Sequence, residues 1–401
     1  MAHRLSSPLY RRLSSSFSTA TKGKVPLLYK SPEINEDNRN EAVTLQVLSW
    51  GRGASGQLGG GIEEIRIYPS PVANLLFPHA SFSLSPTPGK TQNQDQKDQT
   101  LHSVGISCGL FHSGLVVGGK LWMWGKGDGG RLGFGHENPA FVPTLNPHLD
   151  SVSFVALGGL HSVALTSKGE VFTWGYGGFG ALGHSVYHRE LVPRLVEGNW
   201  SRNIRHIATS GTHTAAVTES GDLYTWGREE GDGRLGLGPG RGPNEGGGLS
   251  IPSKVKELPT PVAAVSCGGF FTMALTEDGQ LWNWGDEGKV LSWGHGGHGQ
   301  LGHSSIQNKK VPATIEALAD KRVVYIACGG SSSAGITDEG KLYMWGNAKD
   351  QQLGVPGLPE VQACPVEVNF LMEDDGLGTH NVLSVAVGAC HAMCLVSRSP
   401  C

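Results

Sequence analysis

The residues with the most obvious chemical potential in this 401-residue sequence are glycines. Gly-x-Gly-x-x-Gly begins at Gly51, Gly125, Gly175 and Gly294. One such run, after a strand and at the head of a helix, would present backbone N–H groups to a pyrophosphate. Four copies at one repeat position, each leading to Leu-Gly rather than to a helical pattern, read instead as turns. Gly89-Lys90-Thr91 has the tail of a phosphate loop, but Leu84 stands where the first glycine is required. Cys390, His391 and Cys394 could offer metal donors. However, the seven cysteines are odd in number, form no Cys-x-x-Cys pair, and leave that cluster without a fourth ligand. There is no His-Glu-x-x-His and no Gly-x-Ser-x-Gly, and no carboxylate pair is singled out as an acid and a base. The expectation is a non-enzymatic protein with no cofactor and no metal.

Those glycines must be explained by the elements that hold them. Gly makes up 60 of 401 residues, about twice the usual share, whereas charged residues are only 17%. Each Gly inside a helix costs on the order of 1 kcal/mol, which argues against a large helical domain. No apolar run is long enough for a membrane-spanning helix, and there is no Gly-X-Y period. An all-β, turn-rich class remains.

Trp-Gly recurs at Trp50, Trp124, Trp174, Trp226, Trp284, Trp293 and Trp345. Leu-Gly follows eight or nine residues later at Leu58, Leu132, Leu182, Leu235, Leu301 and Leu353. Strand-like runs such as Leu121-Trp122-Met123-Trp124 precede the tryptophans, with a hairpin glycine five positions upstream at Gly119, Gly169, Gly221, Gly279, Gly288 and Gly340. Earlier in each unit comes a Cys-Gly-x-x-His-like segment, read as a strand: Cys108 to His112, Leu157 to His161, Thr209 to His213, Cys267 to Phe271, Cys328 to Ser332 and Val387 to His391. The recurring histidines read as structural. A period near 50 residues with several short strands is the mark of a β-propeller, whose blades bury their faces by stacking radially. The last His-containing strand lacks a Trp-Gly strand after it, and the first Trp-Gly strand lacks a His strand before it. The two ends are therefore expected to share one blade.

These motifs resemble the regulator of chromosome condensation repeat family, β-propellers that are typically seven-bladed. The resemblance covers about residues 43–397. Trp284 and Trp293 break the period, being nine residues apart. Asp286 to Gly294 repeats the signature of Asp338 to Gly346, so about one repeat of a seven-unit pattern is missing after Gly285, leaving about six repeat equivalents. A Pro-, Gln- and Asp-rich stretch at about 84–100 reads as a disordered loop.

The segment 1–35 carries Arg4, Arg11, Arg12, Lys22, Lys24 and Lys30, and an apolar stripe at Leu5, Leu9, Leu13 and Phe17, with no acid before Glu33. Basic, Ser-rich and amphipathic is the pattern of an organelle transit peptide; the arginines favour mitochondrion over chloroplast. Without its basic residues the chain is acidic, about −9, so RNA contact would be indirect or through a local patch. The expected partner surface is a loop rim containing Asp128, Arg131, His136, His184, Arg228, Asp232, Arg234 and His303. The resemblance, narrowed by the targeting segment to plant mitochondrial members, implies a matrix scaffold in organelle gene expression, bound to protein partners such as splicing factors. Its role would be splicing of mitochondrial transcripts needed for respiratory complex I biogenesis. The founding activity of the family implies the alternative, guanine-nucleotide exchange on an organellar small GTPase.

Overall fold

The computed structural model describes residues 25–35, 42–78, 82–84, 102–200, 203–209, 211–228, 235, 237, 248–256, 261–268, 271–276, 291–294, 296–307, 309–321, 323–370 and 379–399. The described chain is all-β apart from two single-turn 3-10 segments, Asp128–Gly130 and Glu316–Leu318. The expected loop at about 84–100 and the repeat junction at Gly285 lie almost wholly outside the described residues.

The strands form a β-propeller with five sheets of four or five strands, each named here by its central tryptophan. The Trp124 blade illustrates the unit. His102–Cys108, His112–Val117, Lys120–Gly125 and Ala140–Leu145 pair in that order, with the short Phe82–Leu84 added beside the first. The Trp174 blade (Val152–Leu157, His161–Thr166, Val171–Gly175, Glu190–Leu195) and the Trp226 blade (Ile204–Thr209, His213–Thr218, Leu223–Arg228, Gly248–Lys254) repeat it. So does the Trp345 blade, built from Val323–Cys328, Ser332–Thr337, Leu342–Asn347 and Val361–Glu367. Pro143 and Pro193 fall in last strands, at blade edges, where a missing N–H is tolerated.

The Trp50 blade joins the two ends of the chain. Val43–Gly53 pairs antiparallel with His391–Ser399, from Thr44 opposite Arg398 to Gly51 opposite His391. Thr379–Val387 and Glu64–Phe77 flank that pair, and Leu27–Lys30 is added at the edge. Between the Trp226 and Trp345 blades the sequence supplies two two-stranded sheets, Val262–Gly268 with Phe271–Thr276 and Leu291–Gly294 with Lys309–Thr314.

One expectation is corrected. The Cys-Gly-x-x-His motif is not one strand but the turn between two. Cys108 ends one strand and His112 begins the next, with the Gly109 N–H donating to the His112 carbonyl at 2.9 Å. Within the segment 1–35 expected to be a transit peptide, Leu27–Lys30 forms an edge strand of the Trp50 blade, and Ser31 and Ile34 are buried.

Both glycine motifs have a steric cause. The glycine of Trp-Gly adopts φ near +106° at Gly175, and a Cβ there would lie 2.7 Å from the Leu160 carbonyl oxygen. The glycine of Leu-Gly sits under the indole of the next blade: at Gly133 (φ +75°) a Cβ would lie 2.8 Å from Trp174 Nε1. Left-handed backbone and close approach together leave glycine as the only unstrained residue.

Candidate partner-binding rim

The rim has to be separated from the contacts that join blades, because both arise in the same turns. Between the Trp124 and Trp174 blades the Arg131 carbonyl accepts two hydrogen bonds from the next blade, from Trp174 Nε1 and from Ser162 Oγ, both at 2.8 Å. Since that hydroxyl donates to Arg131, it must accept from His112 Nε2, 2.9 Å away. This assigns His112 the neutral tautomer with its proton on Nε2. The same latch joins the Trp50 blade to the Trp124 blade through Gln57, Ser113, Trp124 and His391. It joins the Trp174 blade to the Trp226 blade through Ala181, Thr214, Trp226 and His161. Burial keeps these imidazoles neutral, pulling His161 down to about 3 and His391 to about 4.

Several predicted rim residues are therefore structural. Arg131 is only 4% exposed, and its guanidinium donates to the carbonyls of Asp128 at 2.8 Å and Gly159 at 3.0 Å. His184 is buried with Nε2 2.9 Å from Thr173 Oγ1, a hydroxyl that donates to the Leu182 carbonyl. His303 is half-buried, and its carbonyl accepts from Ser304 Oγ. His136 is exposed beside the Phe134 ring. Asp232 and Arg234 lie outside the described residues. Among the described residues no three His, Cys, Asp or Glu side chains form a group that could hold a metal ion.

Asp128 is exposed and Arg228 half-buried, and Arg228 belongs to a register that the Trp-Gly and Leu-Gly motifs do not mark. In the five full blades, the residue after Trp-Gly returns its N–H to the carbonyl just before the position that carries His in four of them. Arg52 bonds Cys390, Lys126 bonds Phe111, Tyr176 bonds Leu160, Arg228 bonds Thr212, and Asn347 bonds Ser331, all between 2.8 and 3.0 Å. These backbone bonds put Arg52, Lys126, Tyr176, Arg228 and Asn347 at one equivalent place on successive blades. The signal lies in the sequence, one position beyond the Trp-Gly of these five blades.

On three consecutive blades these positions form an aromatic and cationic strip. Lys126 Nζ stands 5.7 Å from the centre of the Phe111 ring and 2.8 Å from Asp128. That hydrogen bond holds the Asp128 carboxyl below its ordinary range. Gly129 abuts Tyr176, whose ring meets Phe179 edge-on at 6.0 Å. The Arg228 guanidinium lies over Phe179 at 4.5 Å. Phe111 and Tyr176 remain 37% and 41% exposed. Exposed aromatics with Arg and Lys poised above rings are enriched at interaction hot spots, and they also stack unpaired bases.

Residues 41–394 match the family described as RCC1-like domain. The chain is 63% identical to the RCC1 domain-containing protein RUG3, mitochondrial, of Arabidopsis thaliana, over 100% of this chain and 99% of that protein. It is 33% identical to the ultraviolet-B receptor UVR8 of Arabidopsis thaliana, over 88% of this chain and 71% of the receptor. Among solved structures, human WBSCR16 superposes with a TM-score of 0.54 at 23% identity, covering 88% of this chain and 99% of that one. Prp20p of Saccharomyces cerevisiae gives a TM-score of 0.54 at 18% identity, covering 91% and 95%. A repeat of Trp-Gly and Leu-Gly turns, its folding into latched blades, and these matches together make the chain a member of the RCC1-like domain family.

Proposed function

We propose that the protein is a mitochondrial, non-catalytic scaffold in organelle gene expression, acting in the splicing of mitochondrial transcripts needed for complex I biogenesis. The mitochondrial address is supported by the basic amphipathic N-terminal sequence and by full-length likeness to a relative named as mitochondrial. The splicing role extends the family resemblance. The observation that carries the scaffold reading is the strip at Phe111, Lys126, Tyr176, Phe179 and Arg228, which offers contact groups without acid–base machinery. Tagged protein recovered from mitochondria should bring down splicing factors in an RNase-sensitive complex, and introns should accumulate in a loss-of-function line. Normal splicing in that line defeats this reading; recovery of a nucleotide-free GTPase supports exchange activity in its place.

We infer also that the chain is one repeat short of a seven-unit parent and that its end-sharing blade closes the ring. The alignment with the Arabidopsis relative spans 451 positions, about fifty more than this chain contributes. The two two-stranded sheets flank the sequence around Gly285, where the repeat arithmetic loses its step. Transcripts sequenced across Gly285–Asp286 test this; a continuous exon there in every transcript rules it out.

A further inference from the structure

At three seams of the rim, the same two positions of successive turns meet. The fourth residue after the glycine of one Trp-Gly packs against the residue that follows the next Trp-Gly. Asp350 pairs with Arg52 at 3.4 Å. Phe179 lies under the Arg228 guanidinium at 4.5 Å. Gly129 lies against Tyr176, where a Cβ would stand 3.6 Å from the Tyr176 Cβ. Two of these seams are therefore closed by an arginine, one on a carboxylate and one on a ring. The seam between the Trp124 and Trp174 blades is not, because Gly129, at φ +72°, has no side chain to set on Tyr176.

Tyr176 is held in place for a contact. Its N–H donates to the Leu160 carbonyl at 3.0 Å. Its ring rests on its own turn, since a Cβ on Gly178 would fall 2.3 Å from the ring Cζ, and it meets Phe179 edge-on. The ring nevertheless stays exposed. The residue before Gly129 is Asp128, whose side chain is 57% exposed. The hydrogen bond from Lys126 Nζ favours its ionised form. This seam thus sets an open ring beside a carboxylate, the two surfaces that the other seams each cover with an arginine.

We propose that this seam takes an arginine side chain of a protein partner, its guanidinium stacked on the Tyr176 ring and paired with Asp128. This deepens the scaffold reading above and rests on it for the role of the rim. A guanidinium fits because its planar face stacks on a ring while its N–H fork reaches a carboxylate, which a lysine ammonium does less well. A basic partner also suits a chain whose charge is about −9 once the basic residues of segment 1–32 are set aside. RNA phosphates would meet repulsion from Asp128, so RNA is reached through such a partner and not through this ring.

Fluorescence anisotropy with the full chain tests it. The probes are a labelled peptide of arginines spaced by glycine and serine, the same peptide with lysines, and oligouridylate. The arginine peptide should bind at least about twofold more tightly than the lysine peptide. Tyr176→Ala and Asp128→Asn should each weaken arginine binding by about two- to fivefold, the range for an exposed cation–π contact or ion pair. Tyr176→Phe keeps the ring and should bind like wild type. Equal binding of the two peptides, arginine binding unchanged in Tyr176→Ala or Asp128→Asn, or a loss in Tyr176→Phe as large as in Tyr176→Ala overturns the proposal. Oligouridylate binding that Tyr176→Ala abolishes also overturns it and makes the ring an RNA platform. Arginine binding together with normal splicing in the loss-of-function line removes the splicing role and leaves this contact. Impaired splicing without any arginine preference does the reverse.

Discussion

Trp50 Nε1 donates to the Gln352 carbonyl at 2.7 Å, joining residues 302 positions apart across the seam between the last full blade and the blade shared by the two ends. The corresponding carbonyls of Gln57, Arg131, Ala181 and Gln300 each accept a second bond, from Ser113, Ser162, Thr214 and Ser333. At the Trp50 seam Ala392 occupies that hydroxyl position, and Ser332 stands where other blades carry histidine. The Trp50 seam shows one latch bond, where the seams at Trp124, Trp174 and Trp226 show three. Gln352 Nε2 is also buried there without a partner.

Restoring the missing hydroxyl should strengthen the seam. Ala392→Ser is expected to raise stability by about 0.5–1.5 kcal/mol, read from the urea midpoint at unchanged slope, because it gives the Gln352 carbonyl its second donor. A lower midpoint would mean that the seam is packed for alanine and that the latch is not the relevant difference.

Breaking a complete latch should cost more. Ser162→Ala removes the acceptor of the buried His112 Nε2–H and one donor to Arg131. A loss of about 1–3 kcal/mol is expected by chemical denaturation, the range for stranding a buried polar group. A cost no larger than that of an exposed Ser→Ala change would refute the assigned tautomer and latch.

The latch histidines make stability fall with acid. His112, His161 and His391 are neutral in the fold because burial lowers their proton affinity, to about 3 for His161 and about 4 for His391. Unfolded, each would bind a proton near pH 6.5. Below that pH the unfolded state holds more protons, so their contribution is complete above 6.5 and declines as pH drops toward the folded values. The expected slope is roughly 1 kcal/mol per pH unit for each histidine between pH 6 and 5. Flat stability across that interval contradicts neutral buried histidines.

The glycine of Trp-Gly should resist substitution where another glycine tolerates it. Gly175→Ala places a Cβ 2.7 Å from the Leu160 oxygen at φ +106°, whereas Gly211 has nothing within 4 Å. Gly175→Ala should lose at least about 2 kcal/mol, and Gly211→Ala about 0.5 or less. Comparable melting of the two variants would contradict the steric account of the repeat.

Much of the architecture was legible because repeat and contact coincide. Trp-Gly and Leu-Gly recur since the indole of each blade needs the previous Leu-Gly turn, and the hairpin glycines Gly119, Gly169, Gly221 and Gly340 all carry positive φ. The site was less legible. Arg131 and His184 are polar residues in turns, but hydrogen bonds to the Asp128 and Gly159 carbonyls and to Thr173 Oγ1 hold them inside, which spacing alone does not report. Tyr176 and Phe111 belong to no recurring residue type of the repeat, and it is their exposure beside the backbone bonds of the rim that marks them. Leu27–Lys30 was not legible as a strand, because its partner is Glu64–Phe77, some forty positions away, and no repeat motif marks it.

The rim strip should carry function separately from the fold. In a line lacking the protein, wild-type chain and a Lys126→Glu, Tyr176→Ala double variant would each be reintroduced and the ratio of spliced to unspliced mitochondrial transcripts measured. Both side chains are at the surface, so the variant should fold and accumulate with little change in stability. The prediction is that wild type restores splicing and the accumulated variant does not. Equal restoration by the variant would contradict the assignment of the rim as the working surface.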